Sequence, residues 1–227
     1  MGKVSVILPA AGEGRRFGAD TNKIFQPLAG RAIVLHTLER FARRRDVAEI
    51  LLVLSARDLE PAREHLGRHL DAWGVRLAEG GATRAESVRS ALSLAREDVE
   101  LVCVHDAVRP CIDAELIDEV FREARRTGAA ILAAPVHGTL KKVSPQGLIE
   151  WTVPRESLWQ AQTPQVFHPD LLRRAYASNV RGVTDDAQLV EALGHPVSVV
   201  QGDPRNLKIT TPADLALAEA ILQASDS

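Results

Sequence analysis

Close to its start the chain gathers residue types that hold phosphates: Leu8-Pro9-Ala10-Ala11-Gly12-Glu13-Gly14-Arg15-Arg16-Phe17-Gly18, followed by a lone lysine, Lys23. Gly12 and Gly14 carry no Cβ, so backbone N–H groups can approach an anion closely, and Arg15, Arg16 and Lys23 bring positive charge to the same place. We read the stretch as a triphosphate-binding loop. Spacing rules out two commoner loops. A dinucleotide fingerprint needs a third glycine where this chain has Phe17, and an acidic residue ending the next strand, where it has Ser55. A Walker-type loop needs Gly-Lys followed by Ser or Thr, whereas Lys23 lies five residues past Gly18 and precedes Ile24.

Further chemistry collects downstream. Glu79-Gly80-Gly81-Ala82 makes a second glycine loop, and His105-Asp106-Ala107-Val108-Arg109-Pro110 follows an apolar run. Each residue also has a plain structural reading when taken alone. Asp106 and Arg109 could form a structural ion pair, His105 a hydrogen-bonded structural histidine, and Lys208 the outward position of an edge strand. Thr184 reads as a helix cap. His65 and His69 stand four apart without the intervening glutamate of a zincin pattern, so they read as a solvated helix face.

The elements that must position these residues are legible as strands alternating with helices. The β-branched run Val4–Leu8 predicts a buried strand ending at the first loop, where open α/β sheets bind ligands. Apolar spacing predicts helices over Ala32–Arg43 and Glu60–Trp73, with strands at Ile50–Leu54 and Val75–Ala78. Thr83-Arg84-Ala85-Glu86 has capping-box spacing and predicts a helix from Arg84 to about Ala95. Leu101–Val104 is a buried strand, Asp113–Thr127 a helix capped by Asp113 and stopped by Gly128, and Ala129–Val136 a strand. Such alternation implies a largely parallel sheet.

The pattern then breaks. Thr139–Val143 and Leu148–Val153 flank Ser144-Pro145-Gln146-Gly147 with no helix between them, which predicts a projecting β-hairpin whose apolar residues would face a partner chain. Pro169–Ser178 and a segment starting at Thr184 read as helices, Val197–Gln201 and Leu207–Thr210 as strands closing the sheet, and Ala213–Ala224 as a last helix.

Composition narrows the class. The 227 residues suffice for one substantial core without a linker-like stretch, so a single domain over 1–227 is expected. A net charge of -2 argues against a general nucleic-acid binder. No apolar signal region or membrane-length apolar run is present, and a cytoplasmic location with free Cys103 and Cys111 is expected.

Taken together, the segments resemble the 2-C-methyl-D-erythritol 4-phosphate cytidylyltransferase family. The matching residues are Pro9-Ala10-Ala11-Gly12 with Arg16 and Lys23, Gly81 with Arg84 and Ser87-Val88, and the segment His105 to Pro110. Arg155 with Leu158-Trp159, Gln162-Thr163-Pro164-Gln165, Thr184-Asp185-Asp186-Ala187 and Asn206-Leu207-Lys208-Ile209-Thr210 follow in family order.

The resemblance implies a Rossmann-like three-layer nucleotidyltransferase fold with a mostly parallel central sheet. It also implies a β-hairpin arm, residues 137–158, exchanged between two subunits of a homodimer. The implied reaction joins CTP and 2-C-methyl-D-erythritol 4-phosphate, releasing pyrophosphate, in non-mevalonate isoprenoid biosynthesis. Catalytic roles carry over to Arg16, Lys23, Arg155 and Lys208. CTP would be held by Pro9, Ala10, Ala11, Gly12, Gly14, Gly81, Ala82, Ser87 and Ala107. Asp106, Arg109, Thr139, Arg155, Thr163, Thr184 and Lys208 would bind the second substrate. Mg2+, or another divalent ion, would ride mainly on the CTP phosphates, and no protein ligands are assigned to it. Val108 and Ala82 depart from commoner family residues, which touches only details of nucleotide contact. Ribitol 5-phosphate as acceptor, or a non-catalytic nucleotide-sensing subunit, are the alternatives.

Overall fold

The computed structural model describes residues 3–12, 22–178 and 182–225. Its centre is a seven-stranded sheet built from β1 (Val4–Pro9), β4 (Val47–Leu54), β5 (Val75–Glu79), β6 (Leu101–Val104), β7 (Ala129–Pro135), β10 (Trp159–Phe167) and β11 (Ser198–Gln201). The strand order is β11-β7-β10-β6-β1-β4-β5, and all neighbours run parallel except β10, which is antiparallel to both β6 and β7. The mostly parallel sheet read from the sequence is therefore present.

Strand periodicity sorts the sheet's side chains into two cores. Val4, Val6 and Leu8 of β1, with Ile50, Leu52 and Leu54 of β4, face one side. There they meet Leu38 and Phe41 of α1 (Ile33–Ala42), Leu66 of α2 (Ala56–Ala72), Phe121 of α4 (Ala114–Thr127) and Leu222 of α7 (Pro212–Ser225). Ile7, Leu51 and Val53 face the other side, against Val88 of α3 (Arg84–Leu94), Leu172 of α5 (Pro169–Ala177) and Val190 of α6 (Asp186–Glu191). Helix, sheet and helix form three layers around strands buried on both faces, which is why these strands read as continuous apolar runs.

Local signals place most boundaries. Thr83 and Glu86 form the reciprocal capping box of α3, and Asp113 caps α4 while Gly128, at φ 87°, ends it in the left-handed region. Two short strands missed in the sequence, β2 (Pro27–Leu28) and β3 (Arg31–Ala32), pair just before α1. Other readings need correction. Helix α2 begins at Ala56, not Glu60, and contains Pro61, which supplies no N–H to the preceding turn. Asp185, not Thr184, caps α6, accepting from the Gln188 N–H at 3.1 Å. Leu207–Thr210 pairs with no strand, its link to the sheet end being Ile209 N–H donating to the Val108 carbonyl at 2.9 Å.

The hairpin is present as β8 (Leu140–Val143) and β9 (Ile149–Val153), an antiparallel pair separate from the main sheet. Leu148, Ile149 and Trp151 are 70%, 64% and 55% exposed, a cluster of large apolar side chains without cover in a single chain. Among the described residues no helix is long and apolar enough to cross a membrane.

Candidate active site

The C-terminal ends of β1, β5 and β6 converge on a cavity of about 270 Å³. Its wall includes Pro9, Ala10, Ala11 and Gly12 from the first loop, Lys23 beyond it, Gly81, Ala82 and Ser87 from the second loop and α3, and Asp106 and Val108 after β6. The two glycine loops press together. A Cβ on Gly80 would lie 2.7 Å from Ser87 Oγ and 2.8 Å from Ala11 Cβ, closer than real side chains approach, so this position requires glycine.

A second cavity of about 250 Å³ opens alongside, walled by Arg109, Ala161, Gln162, Thr163, Gln165, Thr184 and Asp185. Arg84, Asp106 and Lys208 line both. The site is therefore two compartments meeting at a band of charge.

That band centres on Asp106, 6% exposed. Its Oδ2 lies 2.9 Å from Lys208 Nζ and 3.2 Å from Arg109 Nε, and its Oδ1 lies 3.4 Å from Arg84 Nε. Burial alone would raise the Asp106 pKa, but the charges of Lys208, Arg84 and Arg109 outweigh it and hold the carboxyl well below its usual range. Arg84 also reaches the fully buried Asp186, Nη2 to Oδ2 at 2.8 Å, and Tyr176 donates its hydroxyl to the other oxygen of Asp186. Burial disfavours the charged guanidinium, yet Asp186 and Asp106 together raise the Arg84 pKa. Among the described residues paired here, three cations face two carboxylates, an excess of one positive charge.

Neutral hydrogen bonds fix Asp106 from behind. Its N–H donates to Thr163 Oγ1 at 3.0 Å, and Thr163 lies 3.1 Å from His105 Nδ1. His105 Nε2 is 3.1 Å from the Arg109 carbonyl, which can only accept, so Nε2 carries the proton and Nδ1 accepts from the Thr163 hydroxyl. Burial pulls the His105 pKa down to about 4, so the ring is neutral near pH 7. Asn206 completes the frame, donating to the Thr163 carbonyl at 2.8 Å while its own carbonyl accepts from Arg109 Nη1 at 2.7 Å. Lys23 Nζ donates to the Ile209 carbonyl at 2.9 Å, beside Lys208.

Most expected site residues are thus brought together, with a few exceptions. Ala107 lines neither cavity. It is buried, and its carbonyl accepts from Thr37 Oγ1 at 2.9 Å on the α1 side, leaving Val108 in the wall. Thr139, exposed, and Arg155, which donates to the His137 carbonyl, belong to the arm and line neither cavity. Gly14 and Arg16 lie outside the described residues. The sequence, for its part, assigned no site role to Arg84, Asn22, Gln162, Gln165 or Asp186. Gln165 stood in the family-like segment Gln162-Thr163-Pro164-Gln165, but its task shows only in three dimensions, where its Oε1 accepts the N–H groups of Asp186 and Ala187 at 3.0 Å.

A glycine-edged cavity at the ends of parallel strands, joined through a charged band to a second polar compartment, lets a three-layer α/β fold hold two ligands side by side. Comparison with known sequences narrows this. The chain belongs to the IspD family, 2-C-methyl-D-erythritol 4-phosphate cytidylyltransferase, whose family model matches residues 4–224. A relative of that name from Rhodopirellula baltica is 47% identical, over 96% of this chain and 94% of its own. Another from Solibacter usitatus is 45% identical, over 97% and 96%. The crystal structure of 2-C-methyl-D-erythritol 4-phosphate cytidylyltransferase from Thermus thermophilus superposes with a TM-score of 0.81 at 39% identity, covering 97% of this chain and 99% of that one.

Proposed function

We propose that the chain transfers the cytidylyl group of CTP to 2-C-methyl-D-erythritol 4-phosphate, giving 4-diphosphocytidyl-2-C-methyl-D-erythritol and pyrophosphate. Family membership supports the reaction, and the observation that carries the site assignment is the pair of cavities sharing Arg84, Asp106 and Lys208. The glycine-edged cavity takes CTP, and the cavity beyond the band takes the sugar phosphate.

A substrate phosphate oxygen attacks the α-phosphorus of CTP, and the bond from that phosphorus to the bridging oxygen breaks as pyrophosphate leaves. The attacking oxygen is already anionic, so the site needs position and positive charge more than a general base. Lys208 and Arg109 lie where they can neutralise the incoming phosphate, and Lys23 faces the triphosphate side. Arg16 joins them by family resemblance. Asp106 spaces the cations and can accept a substrate hydroxyl when one of its partners shifts to phosphate.

Among the described residues no three His, Cys, Asp or Glu side chains converge on a metal position. Asp106, the one carboxylate among the described residues that line the nucleotide cavity, is already engaged by three cations. The residues therefore fit a divalent ion, Mg2+ in our reading, that arrives on the phosphate oxygens of CTP. When bound, it offsets charge on the departing pyrophosphate.

The exposed Leu148, Ile149 and Trp151 support a homodimer joined through the 137–158 arm, with Thr139 and Arg155 reaching the other subunit's site. The cytoplasm is the compartment where CTP and such an enzyme would meet.

Pyrophosphate release from CTP and Mg2+, with methylerythritol phosphate and ribitol 5-phosphate supplied separately, tests the assignment. Release with the first acceptor alone is expected. Release with ribitol phosphate alone would overturn the acceptor, and silence with both would overturn the reaction. Lys23→Ala is expected to lower turnover at least about tenfold in folded protein, by loss of a charge aimed at the transition state.

A further inference from the structure

Asn22, at the start of the short 3₁₀ turn Lys23–Phe25, is 2% exposed. Its Nδ2 donates to the Ala10 carbonyl at 2.8 Å and to Asp58 Oδ2 at 2.9 Å, and its Oδ1 accepts the Ile24 N–H at 3.2 Å. Both amide hydrogens are used, so the side chain has one orientation. One end grips the nucleotide loop and the other starts the turn that carries Lys23.

Asp58 lies in the first turn of α2, 6% exposed, and lines neither cavity. The same Oδ2 that accepts from Asn22 also accepts the Ser55 hydroxyl at 2.6 Å. Ser55 stands at the N-cap of α2, yet its side chain makes no capping bond. An N-cap serine ordinarily serves its own helix. Here its hydroxyl goes instead to the oxygen that holds Asn22.

We infer that Asp58 is a positioning residue for nucleotidyl transfer: through Asn22 it fixes both the Ala10 edge of the nucleotide cavity and the direction of Lys23. A rotation at Asn22 would move the lysine away from the Ile209 carbonyl and out of register with the cationic band, and misplacements of about an ångström can cost a hundredfold in rate. The inference rests on the proposed use of the first cavity for CTP. It adds that an acceptor oxygen outside the cavity is part of the machinery.

Two substitutions separate positioning from helix stabilisation. Asp58→Asn removes the charge that favours a helix N-terminus but keeps an oxygen where Oδ2 stands, able to accept both bonds. Asp58→Leu removes charge and acceptor together. Positioning predicts turnover for Asp58→Asn within about twofold of the natural protein. It predicts at least a tenfold fall in kcat for Asp58→Leu, with the KM for the acceptor substrate within about twofold. Titration calorimetry with CTP and Mg2+ supplies a readout independent of the acceptor, with Asp58→Leu binding at least about fivefold more weakly and Asp58→Asn unchanged.

Equal losses in the two variants would overturn the inference in favour of helix charge, and so would unchanged kcat and CTP binding in Asp58→Leu. Should Asp58→Leu not fold, Asp58→Ala, which removes the same acceptor and charge with a small helix-favouring side chain, must show the same kcat and CTP losses. Silence of the natural protein with every acceptor, but normal CTP binding, would count against the proposed reaction, and the calorimetry would still decide the role of Asp58. Absence of CTP binding in the natural protein would overturn both.

Discussion

Acidification from pH 6.5 to pH 4 should destabilise the protein by an amount set largely by one buried ring. His105 is fully buried, donates from Nε2 to the Arg109 carbonyl and accepts from Thr163 at Nδ1, a pairing that only the neutral ring can make. Its pKa falls from 6.5 to about 4, with desolvation as the largest cause. Between these values the unfolded chain binds a proton that the folded chain refuses, so stability rises with pH across the window and is lost as pH falls. Each factor of ten in proton affinity is worth about 1.4 kcal/mol, which makes the full loss ~3 kcal/mol, a large fraction of ordinary domain stability. His36, also shifted down by burial, adds in the same direction. Asp106, held low by its cations, keeps its contribution above the unfolded carboxyl pKa and loses it only at still lower pH. Urea unfolding at half-unit pH steps measures the curve, and His105→Gln, which cannot titrate, should flatten it between pH 6.5 and 4. A natural protein with no slope in that window, or a variant with the same slope, would refute the network drawn around His105.

Three other outcomes follow from the geometry. Lys208→Met removes the cation 2.9 Å from Asp106 and shared by both cavities, and should lower kcat about a hundredfold in steady-state pyrophosphate assays, with Lys208→Arg retaining more activity. Gly80→Ala drives a methyl into Ser87 and Ala11 and should cost about 1–3 kcal/mol in thermal unfolding, with a raised KM for CTP, because the two loops must separate. Trp151→Glu places charge on the exposed arm cluster and tests the proposed homodimer: light-scattering mass should shift from dimer to monomer at micromolar concentration, while a monomeric natural protein or an unchanged mass in the variant would remove the arm as the dimer contact.

Local chemistry is what a sequence displays well. The capping box at Thr83 and Glu86, the Asp113 cap and the Gly128 stop act within one turn, so their spacing alone predicts α3 and α4 closely. The buried parallel strands announce themselves as apolar runs for the same reason. Strand β10 does not. It carries Gln160, Gln162, Gln165 and Pro164, and its standing as a strand comes from pairing with β6 and β7, distant in the chain. Pro164 falls within the register shift between Ala161 and Gln165, where no regular ladder bond is lost. Leu207–Thr210 errs the other way, alternating like a strand while leaving the sheet so that Lys208 can reach Asp106.

The chain by itself determined the alternation of strand and helix, the second glycine loop at Gly80-Gly81 and the projecting hairpin, because each rests on short-range spacing and residue type, whereas roles for Lys23, Arg109 and Lys208 came from the family resemblance and Arg84 was given none. Only the tertiary structure decided how those cations are used. It set Lys208, Arg84 and Arg109 around one carboxylate from segments up to 124 residues apart. It turned Ala107 away from the cavity it was expected to line, and tied Lys23 through Asn22 to an aspartate on another helix. Charge balance and hydrogen-bond geometry in a desolvated site depend on which distant groups share it, and no periodicity along the chain records that.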